Sequence, residues 1–186
     1  RNITLIDPLT GLLNRRALTA QIERKSRHLG HGPQQNALLV LDLDHFKSVN
    51  DRYGHDIGDQ VLAAFSAVAE AQTRPADRLY RLGGEEFCIL LPDTDMREAL
   101  AVAEGIRRAF AACIVETERG ERVSATLSIG IAATKFAGFD LELLLAAADA
   151  ALYEAKARGR NRIVVADTEA LRRSSAAPPQ PDRRRA

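Results

Sequence analysis

Arg81-Leu82-Gly83-Gly84-Glu85-Glu86-Phe87-Cys88-Ile89-Leu90-Leu91 sets two glycines and two carboxylates between a short strand-like stretch and an apolar run. Adjacent glycines in that setting mark a tight hairpin, with Leu79 to Leu82 and Phe87 to Leu91 as its strands. A tip without side chains lets a ligand lie against the backbone, and the carboxylates that follow can hold a metal. In isolation, Gly-Gly-Glu-Glu reads more readily as a glycine turn with solvated acids. The flanking sequence has to decide.

Upstream, Ala37 to Leu43 is an apolar run fit for a central strand buried on both faces, ending in Asp42-Leu43-Asp44. Before it, Asp7-Pro8-Leu9-Thr10-Gly11 is turn-rich. Leu18, Ile22 and Leu29 then recur at helical spacing until His31-Gly32-Pro33 breaks the pattern. Ile57, Val61, Phe65 and Val68 make the apolar face of a second helix. Downstream, Asp95 with Glu98 resembles a capping box for a helix with core face Ala99, Val102, Ile106 and Phe110. Val123 to Ile131 alternates apolar and polar residues, the pattern of a half-buried strand. Asp140 is placed to cap a helix presenting Leu141, Leu144, Leu145, Ala148 and Leu152, and Ile163 to Val165 is a last short strand. Mixed helices and strands around a central hairpin predict a layered α/β or α+β domain with part of the sheet left for a ligand.

The 186 residues fit one domain with a sizeable core, and 46% apolar with 27% charged residues is an ordinary globular composition. The net charge of +1 hides an asymmetry: Arg172 to Ala186 holds five arginines and one aspartate, leaving −3 on residues 1–171. An acidic folded part argues against nucleic-acid binding. From Ser174 the Ser/Ala/Pro/Arg composition cannot build a core and reads as disordered. Cys88 and Cys113 lie far apart without metal-ligand spacing and read as buried free thiols in a reducing compartment. No apolar stretch spans a bilayer and no signal peptide is present. The opening Arg1-Asn2-Ile3, without methionine, reads as a domain of a longer protein.

Two clusters carry chemistry. Along a strand Asp42 and Asp44 share a face while Leu43 points away. If that strand lies beside the hairpin, Asp42 and Glu85 converge and can hold divalent cations that bridge to phosphates. The alternative, an aspartate capping the following helix, applies more to Asp44 than to Asp42. Lys156-Ala157-Arg158-Gly159-Arg160-Asn161-Arg162 ends the last long helix. Cations there complement the helix dipole and glycine stops the helix, so this cluster alone needs no ligand.

Five blocks together resemble the GGDEF domain family, the diguanylate cyclases, over about residues 3 to 166. They are Asp7 to Arg16, Asp42 to Asp59, Arg81 to Phe87, Ser128 to Ile131, and Ala148 to Asn161, with the central block in its GGEEF form. The resemblance implies a central five-stranded, mainly antiparallel sheet flanked by helices, akin to the palm of nucleotide cyclases and polymerases. It implies a catalytic domain over 1–166, with 1–6 as the end of an upstream linker helix, and a largely disordered tail over 167–186. It also implies condensation of two GTP into cyclic di-GMP, with release of two pyrophosphates, across a homodimer in which each copy brings one GTP. Two Mg²⁺ or Mn²⁺ ions per half-site are expected, with an upstream sensor or regulatory domain in the full-length protein, no nucleic-acid partner, and a cytoplasmic setting compatible with a membrane-tethered parent.

By resemblance Asp42, Glu85 and the carbonyl of Leu43 are metal ligands. Glu85 also lies where the attacking hydroxyl is activated, and Glu86 is required with its role left open. Gly83 and Gly84 carry the nucleotide. Lys47, Lys156, Arg160 and the amides near Phe46 and Lys47 resemble triphosphate ligands, which gives the basic cluster a use. Asn50 and Asp59 resemble the guanine readers: a carboxylate accepts from N1–H and N2–H₂, which adenine cannot match. A surface acid remains the plain alternative for Asp59. Asp7, Asn14 and Arg15 read as structural, holding the opening turn.

Arg74-Pro75-Ala76-Asp77 resembles the family's RxxD inhibitory motif, where Arg74 and Asp77 would bind cyclic di-GMP. A surface ion pair is the plain alternative. Arg107 and Arg108 are candidates to complete the pocket. Two functions stand: an active cyclase, and a catalytically silent cyclic di-GMP receptor. The intact hairpin favours the enzyme, and a polymerase palm is the weaker reading, since fingers and thumb segments are lacking and the folded part is acidic.

Overall fold

The computed structural model describes residues 4–27, 35–134 and 141–167. In chain order it holds β1 (Leu13–Asn14), α1 (Arg15–Arg27), β2 (Asn36–Leu43), α2 (Phe46–Tyr53), α3 (His55–Ala71), β3 (Arg78–Gly83) and β4 (Glu86–Leu91). There follow α4 (Met96–Ala111), β5 (Val115–Glu116), β6 (Arg122–Val123), β7 (Leu127–Thr134), α5 (Leu141–Ala157) and β8 (Arg162–Val165). The main sheet has the order β1-β3-β4-β2-β7-β8, with β5 and β6 in a separate hairpin. β3, β4, β2 and β7 pair antiparallel, and β1 and β8 add parallel at the edges. Five strands are thus joined by a sixth, the two-residue β1. The expected mainly antiparallel sheet with flanking helices is present.

β2 is the centre, and all eight of its residues are buried. Period-two alternation divides its side chains between two layers. Leu39, Leu41 and Leu43 pack with Phe87, Ile89 and Leu91 against Phe65 of α3 and Ile106 and Phe110 of α4. Phe65 lies 4.4 Å from Phe87 and 5.5 Å, edge-on, from Phe110 between ring centroids. Leu38 and Val40 pack with Cys88 and Leu90 against Leu18 of α1 and Leu144, Ala148 and Leu152 of α5. Asp42 continues this second series, so its carboxylate emerges toward α5.

Several expectations are refined. The half-buried strand at Val123 to Ile131 is instead two elements, and β7 is buried from Leu127 to Ala132. Its polar Ser128 faces the carboxylate of Asp44 rather than water. Residues 4–6 are extended, not helical: Asn14 N–H donates to Leu5 O at 2.8 Å, and Ile6 bridges to Leu13. Asp95 caps α4 by accepting from the Glu98 N–H at 2.8 Å. Ala103 is buried in α4 while Val102 is half-buried, and Ala151 and Ala155 replace Leu145 on the buried face of α5. Cys88 is buried, but Cys113 is only half-buried. Leu29, the break at 31–33, Asp140 and the tail beyond residue 167 lie outside the described residues.

Gly130 of β7 explains how α5 reaches the sheet. A Cβ there would sit 2.0 Å from Ala148 O and 2.4 Å from Leu152 N. These are backbone atoms of α5, so no rotamer change relieves the contact. Gly130→Ala is expected to destabilise the domain by about 3 kcal/mol, read as a lower urea midpoint at unchanged slope.

Candidate active site

The antiparallel register of β2 on β4 brings the acids together. Asp42 pairs directly with Glu86, and Leu43 N–H donates to Glu85 O at 3.2 Å. Cross-strand neighbours project to one face, so the Asp42 and Glu86 side chains stand side by side. Burial raises the Asp42 carboxyl above its ordinary range. A hydrogen-bonded ion pair from Lys156 of α5 opposes the rise, while Glu85 and Asp44 add to it. Burial likewise raises Glu86, with Asp149 and Asp42 adding and Arg15 and Lys156 opposing.

The glycine tip is held from below. Gly83 (φ 144°) and Gly84 (φ 51°) adopt positive angles that disfavour side chains, and the space at both Cβ positions is open. Arg81 donates from Nε (3.1 Å) and Nη2 (2.9 Å) to Gly84 O, and from Nη1 to both oxygens of Asp7 at 3.2 Å. Asp7 also accepts from the N–H and hydroxyl of Thr10 at 2.9 and 2.7 Å. Burial raises its carboxyl, but the bonds from Thr10 and Arg81 outweigh that and leave it lowered. Arg15 Nε donates to Leu82 O at 3.0 Å. Asp7 and Arg15 are therefore structural as expected, and what they hold is the hairpin itself.

Asp44 does not cap α2. The N-cap is His45, in a left-handed conformation with no side-chain cap. The buried Asp44 carboxylate instead accepts from Ser128 Oγ (2.6 Å), Thr126 Oγ1 (2.7 Å) and the backbone N–H of Asn161 (3.0 Å). Gly159, Arg160 and Asn161 form a run of positive φ, unusual for the last two, so the turn after α5 depends on what ties it down. Arg107 adds a bond to Asn161 Oδ1 at 2.9 Å and is itself gripped by Glu104. This tether positions Arg160, and neither Asp44 nor Asn161 stands out in sequence as a tether. Alternation gave the face of Asp44, but its donors come from residues 82 to 117 positions away.

Lys156 thus joins the acids, while Lys47 and Arg160 are exposed cations whose side chains have no hydrogen bond or ion pair among the described residues. Phe46 and Lys47 open α2, where backbone N–H groups lack helical acceptors. Asn50 lies with its amide against Gly58, the residue before the exposed Asp59. Such a constellation suits a polyanion carrying a polar planar group.

A divalent cation fits the donor set. Among the described residues no three metal-binding side chains gather. An oxygen-seeking ion such as Mg²⁺ takes one or two carboxylates and completes its shell with water and phosphate oxygens. Asp42, paired with Lys156, and Glu85, whose charge adds to the rise in the Asp42 carboxyl, are two carboxylates of the kind such an ion takes.

Arg74 and Asp77 bind each other. Arg74 N–H donates to Asp77 Oδ2 at 2.7 Å and Nη2 to Oδ1 at 3.0 Å, with further bonds from Nη2 to Pro92 O and Thr94 Oγ1. The Asp77 side chain is 1% exposed, that of Arg74 51%. The ion pair offered as the plain alternative is therefore present. Arg107 and Arg108 are both held by Glu104, and neither bonds Arg74.

Family and structure comparisons agree. The family described as "Diguanylate cyclase, GGDEF domain" matches residues 4–162. The chain is 40% identical over 163 residues to the response regulator PleD of Caulobacter vibrioides, covering 87% of this chain and 36% of PleD. It is 42% identical over 162 residues to the diguanylate cyclase VdcA of Vibrio cholerae, covering 86% of this chain and 46% of VdcA. The chain thus spans less than half the length of either relative. Among solved structures, the GGDEF domain of DgcB from Caulobacter crescentus in complex with c-di-GMP superposes with a TM-score of 0.81 at 34% identity, over 89% of this chain and 97% of that one.

Glu86 is half-buried among acids, so its ionised form is disfavoured in the folded state. Glu86→Gln is expected to raise the melting temperature by about 2 °C at neutral pH. Because the folded-state carboxyl titrates above the unfolded one, the wild type sheds this penalty as pH falls through the raised value. The gain should therefore shrink toward acid pH, as followed by thermal melts of both proteins.

Proposed function

The chain belongs to the GGDEF domain family, and from that premise we propose that it is a diguanylate cyclase: it condenses two GTP into cyclic di-GMP, releasing two pyrophosphates, where two copies of the domain meet. The observation that carries this reading is the convergence of Asp42, Glu85, Glu86 and Lys156 beside an open glycine tip.

In each half-reaction the 3′-oxygen of one GTP bonds to the α-phosphorus of the other, the bond from that phosphorus to the oxygen bridging to the β-phosphate breaks, and the hydroxyl proton passes to the Glu85 carboxylate. No protein nucleophile is needed; positioning and charge neutralisation suffice. The carboxylates of Asp42 and Glu85 and the carbonyl of Leu43 would hold Mg²⁺ or Mn²⁺, two per half-site, which would supply a lowered hydroxyl pKa and countercharge for the leaving pyrophosphate. Lys47, Lys156 and Arg160, with the amides at Phe46 and Lys47, receive the triphosphate. Loading the site draws Lys156 from Asp42 toward phosphate. Gly83 and Gly84 let the nucleotide lie on the backbone, and Asp59 and Asn50 read the guanine edge. Glu86 stands beside Asp42 as the supporting acid. Each copy would bring one GTP, so a homodimer completes the reaction. A GTP substrate sets the domain in the cytoplasm, under a regulatory segment of the longer protein. Among the described residues no helix is long and apolar enough to cross a membrane.

Arg74 and Asp77 are read as the product-inhibition site. The half-exposed guanidinium already grips Asp77, so cyclic di-GMP would engage its outward edge or displace the pair.

Incubation with GTP and Mg²⁺ at high protein concentration should yield cyclic di-GMP, and Glu85→Ala should abolish product while leaving the circular dichroism spectrum unchanged. No product from the wild type would overturn the enzyme reading, and cyclic di-GMP binding without synthesis would assign a receptor instead. Arg74→Ala should relieve product inhibition, raising the final yield several-fold. An unchanged inhibition curve would leave Arg74 and Asp77 as a turn-forming ion pair.

A further inference from the structure

Gly58 lies in the first turns of α3, in ordinary helical conformation, so no special backbone angle calls for glycine. Helix propensity argues against it there: glycine costs about 1 kcal/mol relative to alanine in a helix interior. Gly58 is also buried. Its surroundings supply a reason. A Cβ at this position would lie 1.9 Å from Asn50 Oδ1, 3.0 Å from Asn50 Cγ and 3.3 Å from Phe46 Cζ. The volume a side chain would take is occupied by the Asn50 amide.

The contact differs in kind from the one at Gly130. There the obstruction is backbone, and the helix must move. Here the nearest atoms end a short, rotatable side chain. A methyl group would turn the Asn50 amide out of its place while α2 and α3 keep theirs. Asn50 makes no side-chain hydrogen bond among the described residues that would return it. Its rotamer is therefore set by packing of Oδ1 against Gly58, and its amide N–H groups are left for a ligand. Asp59 follows Gly58 directly, so the same glycine fixes the spacing between the two groups.

We propose that Gly58 is a positioning residue for base recognition: by carrying no side chain it sets where Asn50 presents its amide beside Asp59, and so tunes affinity for the guanine nucleotide. This rests on the reading of Asn50 and Asp59 as guanine contacts. Gly58 touches no substrate itself.

The proposal separates binding from chemistry. Gly58→Ala is expected to raise the KM for GTP about tenfold, the worth of one lost hydrogen bond to the base, with kcat within twofold of wild type. Asn50→Ala should show a similar loss, and Asn50→Ala/Gly58→Ala no further loss, because the methyl then fills space the amide has vacated. The thermal midpoint of the double variant should equal or exceed that of Gly58→Ala, since the clash is gone. Equilibrium binding of a non-hydrolysable GTP analogue, measured alongside, should follow the KM. A wild-type KM for Gly58→Ala, or losses that multiply in the double variant, would overturn the proposal while leaving the cyclase reading intact. A wild type that neither binds the analogue nor forms product would overturn both. A Gly58→Ala protein that fails to fold, with the double variant failing alike, would show the glycine serving helix packing alone and would also overturn it.

Discussion

Two carboxylates end the most buried strand of this protein, and the cost of burying charge organises what surrounds them. Neither Asp42 nor Asp44 can be left without a partner at the mouth of β2. Asp42 is met by Lys156, which requires α5 to lie close across the sheet, and Gly130 makes that approach possible. Asp44 is met by Ser128, Thr126 and the Asn161 amide, which requires the start of β7 and the turn into β8 to converge on the same point. Each partner draws in one segment of the candidate site, so compensation of charge and assembly of the site are one event.

The hairpin is governed differently. Its tip has no side chains to lock it, and its conformation comes from outside through Arg81, which spans from Asp7 to the Gly84 carbonyl. The site thus combines a rigid floor with an open surface. At the other end of β3, Arg74 and Asp77 close their own turn, so the two ends of one strand carry separate arrangements of charge.

Much of the element structure could be read from pattern because it is local. The helix of Ile57, Val61 and Phe65, the cap at Asp95 and the two hairpin strands all rest on spacing within a few residues. The strand around Ser128 departs from its pattern for the opposite reason. Alternation of serine with isoleucine signals one wet face only if nothing covers it; here α5 covers it and Asp44 takes up the hydroxyl. The capping alternative for Asp44 fails for the same reason, since an aspartate before a helix looks like a cap whatever lies across the sheet.

The residue types of the site, their order along the chain and the resemblance they carry were determined by the sequence alone, because motif spacing is a property of the chain. Convergence was decided only by the tertiary structure. The β2–β4 register sets Asp42 beside Glu86, α5 brings Lys156 from 114 residues away, and Gly58 leaves room for an amide eight positions before it. Distances of this kind arise from packing two layers of helices onto one sheet, and no local pattern encodes which side chain will fill which space.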